Sequence, residues 1–171
     1  MGRHAVQTAL GFEAVDRVII ADRNKSRAVE FARECGEKAG AYAVDVTDPA
    51  ALRKLLGNAD VVLNTVGPFY QLGVPILEAA IESGCHYLDI NDDWEPTLKM
   101  LELDEAAATA GVTAVVGIGA SPGVSNLLAL CACGELDEVD ELITGWGLSD
   151  AEELSALGND EVAAAMVHWM H

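Results

Sequence analysis

Residues 1–22 read MGRHAVQTALGFEAVDRVIIAD, and the fold turns on how they divide. Ala5 to Leu10 opens a helix, and Val15 to Ala21 is an apolar run of strand length that ends at Asp22. Working outward, the same order repeats. Ser26 to Lys38 carries Ala28, Phe31, Ala32 and Cys35 at helical spacing, and Ala41 to Val46 is the next strand. Asp48-Pro49 caps and starts a short helix to Leu56, because the carboxylate accepts orphan amides and proline is tolerated in the first turn. Val61 to Asn64, His86 to Ile90 and Val112 to Val116 read as strands. Gly73 to Ser83, Glu95 to Ala110 and Val124 to Leu130 read as helices. Alternation with short connections predicts an α/β fold: a doubly wound parallel sheet with helices on both faces.

The alternation stops after Glu135. Leu142 to Trp146 reads as a further strand and Glu161 to Met170 as a helix. A boundary between Cys133 and Glu138 divides the chain into residues 1–135 and a remainder, 136–171, too short for a core of its own.

Composition removes several function classes. The net charge of −18 over 171 residues argues against nucleic acid, which needs clustered cations. No apolar run approaches the ~20 residues of a membrane helix, and Met1 to His4 lacks a signal-peptide core, so the expected compartment is the cytoplasm. Cys131 and Cys133 sit two apart on a helical stretch while Cys35 and Cys85 stand alone, which predicts reduced, buried thiols. His168 and His171 are three apart but lack the carboxylate pattern of a metal helix, so no metal is expected.

A dinucleotide-binding unit runs strand, G-x-G-x-x-G, helix, strand, with an acid about 20 residues after the glycine loop. Gly2 and Asp22 have the spacing of its third glycine and that acid. On this reading the fold is a Rossmann sheet lacking its first strand, and the absent strand would lie between those at Arg17 and Val61. The helix N-terminus would face a pyrophosphate. Asp22 would accept from the adenosine ribose hydroxyls and repel a 2′-phosphate, favouring NAD over NADP. Arg23 works the other way, by stacking on adenine or attracting that phosphate. Asp22-Arg23 also reads simply as a polar strand exit. A second glycine loop, Gly117 to Gly123, has one residue too many for a phosphate loop and no acid after the following strand. It reads better as a loop facing substrate at the carboxyl edge of the sheet.

Three segments carry a family likeness: Val61 to Phe69 (VVLNTVGPF), Gly84 to Ile90 (GCHYLDI) and Gly119 to Ala129 (GASPGVSNLLA). In this order and spacing they resemble the saccharopine dehydrogenase family, from Gly2 to about Trp146. The resemblance implies a two-domain NAD(P)-dependent oxidoreductase acting at the carbon–nitrogen bond of an amino acid or its imine adduct. Residues 136–171 would then begin an α+β substrate domain, which often forms a homodimer. By position the resemblance puts Thr65, Gly67 and Pro68 beside the nicotinamide, and Pro122, Gly123 and Asn126 on the substrate side. Saccharopine reductases resemble one another in an Asp before this Pro-Gly and a His after the loop. Ser121 and Asn126 stand there instead, closer to the lysine 6-dehydrogenase type, so the exact amino-acid substrate stays open.

Asp89, at the carboxyl end of its strand, is the best candidate for a catalytic group, whereas His86 reads as packed and Asp92 and Asp93 as loop solvation. A short-chain reductase is disfavoured because Tyr42, Tyr70 and Tyr87 are followed four residues on by Val46, Val74 and Asn91, not lysine. A non-catalytic nucleotide-binding module remains the alternative. On either reading residues 1–171 alone are expected to fold poorly, to bind NAD weakly or not at all, and to oxidise no amino acid. The acidic bias also suits a halophilic source. Raising salt should screen the self-repulsion, so the thermal midpoint should climb from dilute buffer to molar salt; a flat or falling curve counts against that reading.

Overall fold

Two capped helices show how the sequence sets its own boundaries. In the computed structural model, which describes residues 1–145, Asn24 Oδ1 accepts from Arg27 N at 3.1 Å and starts α2 (Lys25–Cys35). Asp48 Oδ1 accepts from Ala50 N at 3.0 Å and Ala51 N at 3.1 Å, with Pro49 opening α3 (Pro49–Leu56). Each helix turns its apolar stripe inward: Ala28, Phe31 and Ala32 from α2; Leu52, Leu55 and Leu56 from α3.

The other elements are α1 (Gly2–Leu10), β1 (Val18–Asp22), β2 (Ala39–Ala43), β3 (Val61–Asn64), α4 (Phe69–Glu82), β4 (His86–Asp89), α5 (Trp94–Leu101), α6 (Asp104–Thr109), β5 (Ala114–Val115) and α7 (Ser125–Gly134). All strand pairs are parallel, as the alternation requires. β1 pairs with β2, from Val18↔Ala39 to Asp22↔Ala43. β3, β4 and β5 form a second sheet in that order, with Val62↔Tyr87, Asn64↔Asp89 and Tyr87↔Ala114 in register. Among the described residues no ladder joins β1 or β2 to the β3–β4–β5 sheet.

Register decides which face of the larger sheet is buried. Val62, Asn64, Tyr87 and Asp89 share one face, over a core of Leu52, Leu56, Ile76, Leu77, Ala79, Ala80, Cys85 and Met100. Val61, Leu63 and Val115 occupy the other face and stay exposed, at 49%, 39% and 39%. The expectation of helices on both faces therefore holds on one side only of this sheet, among the described residues.

Other boundaries differ for local reasons. α4 starts at Phe69 rather than Gly73, which buries the Phe69 ring and carries Pro75 inside the helix. The single helix expected over 95–110 is two. Leu103 leaves the helical region (φ −86°, ψ 5°), its N–H reaches only Met100 O, and it packs on the core beside buried Met100. Residues 142–145 form no strand, and Leu142 and Ile143 are exposed, since no described strand offers them a ladder. Trp146, the helix expected over 161–170, and His168 and His171 lie outside the described residues. Only Cys85 is a buried thiol; Cys131 is exposed because nothing described covers α7.

Asp48→Ala removes the two cap bonds of α3 and should lower stability by about 1 kcal/mol, with Asp48→Asn close to neutral. Denaturant midpoints at unchanged slope measure this; equal stability of all three proteins would show that the cap is idle.

Candidate cofactor and substrate site

In open α/β sheets ligands collect outside the carboxyl ends of the strands, so those ends set the geometry. β1 delivers Asp22, whose Oδ1 accepts from Asn24 N at 2.7 Å. That bond turns the chain into the α2 cap and fixes the carboxylate at the sheet edge. Arg23 follows in the field of Asp45, whose carboxyl is held below its usual range, first by the Thr47 hydroxyl, then by Thr47 N–H, and less by Arg23.

α1 reaches the same edge. A Cβ on Gly2 would lie 3.0 Å from Thr65 Oγ1, so the first turn of α1 sits against the loop after β3, and glycine makes the approach possible. The N–H groups of His4 and Ala5 donate to Met1 O at 3.0 and 3.2 Å, while those of Gly2 and Arg3 have no partner within α1. Arg3 is engaged elsewhere: it pairs with Glu34 and lies over the Phe31 ring, 4.1 Å from its centroid. Arg3 thus ties α1 to α2.

The loop after β3 is shaped by Asn64, whose Oδ1 accepts from Val66 N at 2.9 Å. It continues through Thr65 and Gly67 to Pro68, joined by a cis bond, and enters α4. The loop after β5 is held to β4 by two bonds: Gly117 N donates to Asp89 Oδ1 at 2.7 Å, and Ile118 N to Asp89 O at 2.9 Å. It then makes a five-residue turn, Ala120–Val124, with extended Ser121 and a cis bond to Pro122. Gly123 packs so closely on this loop that a Cβ would come within 2.5 Å of the Ile118 carbonyl carbon.

Between the β4 and β5 loops lies a cleft of about 410 Å³ whose lining includes Asp92, Asp93, Trp94, Thr97, Ser121 and Pro122. Trp94 is 71% exposed. Asp93 also accepts from Tyr70 N at 3.2 Å, joining the β4 loop to the start of α4.

Asp89 itself is 0% exposed. Its Oδ1 accepts from Asn91 N at 3.0 Å as well as from Gly117 N, and its Oδ2 accepts from the Tyr87 hydroxyl at 2.8 Å. Both oxygens are occupied within the protein. Tyr87 accepts in turn from Asn64 Nδ2 at 3.0 Å, and burial, then the Asp89 charge, pushes its phenol well above the usual range.

The structure therefore brings Gly2 to Thr65, and sets Pro122 beside Asp92 to Trp94. Asn126 is exposed on the first turn of α7, next to Ser125. His86 is structural: its Nδ1 accepts from Thr113 N at 2.9 Å. Sequence reasoning missed Asn64 and Tyr87, although alternation puts Tyr87 and Asp89 on one face. It also read Asp92 and Asp93 as solvation, whereas they line the cleft. Among the described residues no group of three or more His, Cys, Asp or Glu is placed to hold a metal.

Gly123→Ala forces a methyl into backbone, so it should cost about 1–3 kcal/mol in spite of the better helix propensity of alanine. A thermal midpoint equal to that of the unmutated protein would mean that the loop yields freely.

Comparison with known proteins gives the family of the fold. Residues 1–115 match the family described as saccharopine dehydrogenase NADP binding domain. A probable mitochondrial saccharopine dehydrogenase-like oxidoreductase of Arabidopsis thaliana is 33% identical over 106 residues, 55% of this chain and 23% of that protein. A trans-acting enoyl reductase of Mycobacterium leprae is 29% identical over 124 residues, 69% of this chain and 30% of its own length. The apo saccharopine dehydrogenase (L-Glu forming) from Saccharomyces cerevisiae superposes with a TM-score of 0.66 at 26% identity, covering 78% of this chain and 28% of that one. The chain spans less than a third of each of these proteins. With a match over residues 1–115, and with the strand edges placed as above, the chain belongs to the saccharopine dehydrogenase NADP-binding domain family.

Proposed function

We propose that this chain holds the nicotinamide cofactor of an oxidoreductase that acts on the carbon–nitrogen bond of an amino acid or its imine adduct. The observation that carries this is the approach of Gly2 to Thr65, which sets the first turn of α1 against the loop after β3. A dinucleotide fits such a cradle because backbone must come close to its pyrophosphate. In this reading Gly2 and α1 take the pyrophosphate, Asp22 and Arg23 the adenosine end, and Thr65, Gly67 and Pro68 border the nicotinamide. Pro122, Gly123 and Asn126 border the substrate, and residues 136–171 begin the domain that closes over it. The bound cofactor supplies the hydride chemistry; the protein supplies orientation and excludes water.

The likeness to an enoyl reductase favours a second reading, in which the acceptor is a carbon–carbon double bond. Both readings use the same cofactor edge and differ only at the cleft.

Cofactor choice rests on neighbouring residues with opposite effects. The Asp22 carboxylate favours NAD, and Arg23 is the residue through which a 2′-phosphate would be held. In the longest natural protein that contains this chain, NADH should bind more tightly than NADPH. Asp22→Ser should shift that ratio toward NADPH by about tenfold, one lost charge repulsion's worth. Titrating cofactor fluorescence measures both. Tighter NADPH binding by the unmutated protein would pass the choice to Arg23, and binding of neither would end the cofactor reading.

A further inference from the structure

Three buried polar side chains join the loops on the two sides of the site, and one of them, Tyr87, also packs in the core. Asn64, Tyr87 and Asp89 are 3%, 0% and 0% exposed. The path runs from Val66 N–H to Asn64 Oδ1, from Asn64 Nδ2 to the Tyr87 oxygen, from the Tyr87 hydroxyl to Asp89 Oδ2, and from Asp89 Oδ1 to the N–H groups of Gly117 and Asn91. Asn91 extends it to the third loop, accepting from Asp93 N and donating to Thr97 Oγ1.

The direction of every bond is forced. Asp89 only accepts, so Tyr87 must donate to it. The Tyr87 oxygen can then only accept from Asn64, which fixes the amide with its oxygen toward Val66 N–H. Turning that amide over would set two donors face to face. The phenol stays protonated because burial and the neighbouring carboxylate both oppose its ionisation. A buried carboxylate is costly, and apolar residues of similar volume often serve stability as well. What an apolar trio lacks is a fixed reference for three loops at once.

We infer that Asn64, Tyr87 and Asp89 act as one positioning relay that holds the cofactor-side loop (Thr65 to Pro68) in register with the substrate-side loop (Gly117 to Gly123). The assignment of those loops rests on the function proposed above; the relay itself does not. Asp89 is then a positioning residue, not an acid or base that meets substrate, since neither oxygen is open to one.

The polarity of the relay supplies the test. In Asp89→Asn, amides flank Tyr87 on both sides and its proton loses an acceptor. In Asn64→Asp, carboxylates flank it and compete for one proton. The double variant N64D/D89N satisfies every group again with the chain of bonds reversed. Amide hydrogen exchange of the longest natural protein that contains this chain, read by NMR at Val66 and Gly117, reports each end separately. Asp89→Asn should speed exchange at both amides by about tenfold, roughly one hydrogen bond's worth, and the double variant should return both to near the unmutated rates. Tyr87→Phe keeps the ring and should also speed both. Cys85 N–H, bonded to Ala80 O within the core, is the reference and should stay unchanged.

A double variant no better than its singles, or an effect of Asp89→Asn confined to Gly117, would overturn the relay. So would equal acceleration at Cys85, which is the mark of general destabilisation. A separate arm adds NADH, and NADPH in parallel. In the unmutated protein the bound cofactor should slow exchange at Val66 and Gly117 together, and in Tyr87→Phe at Val66 alone. Failure of the unmutated protein to bind either NADH or NADPH would remove the cofactor reading and leave the exchange result to decide the relay.

Discussion

The parallel pairing of β3 with β4, one residue against the next from Val61↔His86 to Asn64↔Asp89, is the constraint on which the described site depends. A shift of one position would move Asn64 off the Asp89 row and turn Tyr87 away from the Asn64 amide. The register is enforced from outside the sheet. Leu52 and Leu56 of α3 and Ile76, Leu77 and Ala80 of α4 pack on the face that carries Val62 and Tyr87. Apolar burial thus fixes a pairing whose polar consequence appears at the strand ends.

From there the loops inherit their shapes. Asn64 turns the β3 loop, Asp89 pins the β5 loop through Gly117, and Asn91 turns the β4 loop toward α5. Gly2 brings α1 to the same edge, and Asp22 starts the turn that caps α2 through Asn24. Catalytic folds of this class vary their loops over a constant sheet. Here part of the loop specification is written into the last residues of β1, β3 and β4.

The sequence made much of this legible, and for identifiable reasons. Period, caps and the β-branched runs located the strands because each signal is local: Asp48-Pro49 marks α3 whatever else the chain does. The relay was not legible, because Asn64 and Asp89 are 25 positions apart and meet only through strand register. Asp89 stood out by its place at a strand end, but place alone does not say whether a carboxylate faces a ligand or the core. Leu103 divided a helix that propensity alone would continue, since packing around Met100 overrode local preference. The exposure of Cys131 and of Ile143 depends on what lies against them, which no local pattern encodes.

The divided sheet also bears on cooperativity. Backbone ladders are the stiffest link between strands, and none joins the β1–β2 part to the β3–β4–β5 part among the described residues. α1 touches both parts, meeting Thr65 through Gly2 and α2 through the Arg3 contacts with Glu34 and Phe31. Two such parts can open as separate units, each with its own free energy. A ligand that spans the edge from Asp22 to Thr65 would then do more than occupy a site. It would couple the melting of two halves that the backbone leaves apart, so that occupancy would be read out as a single transition in place of two.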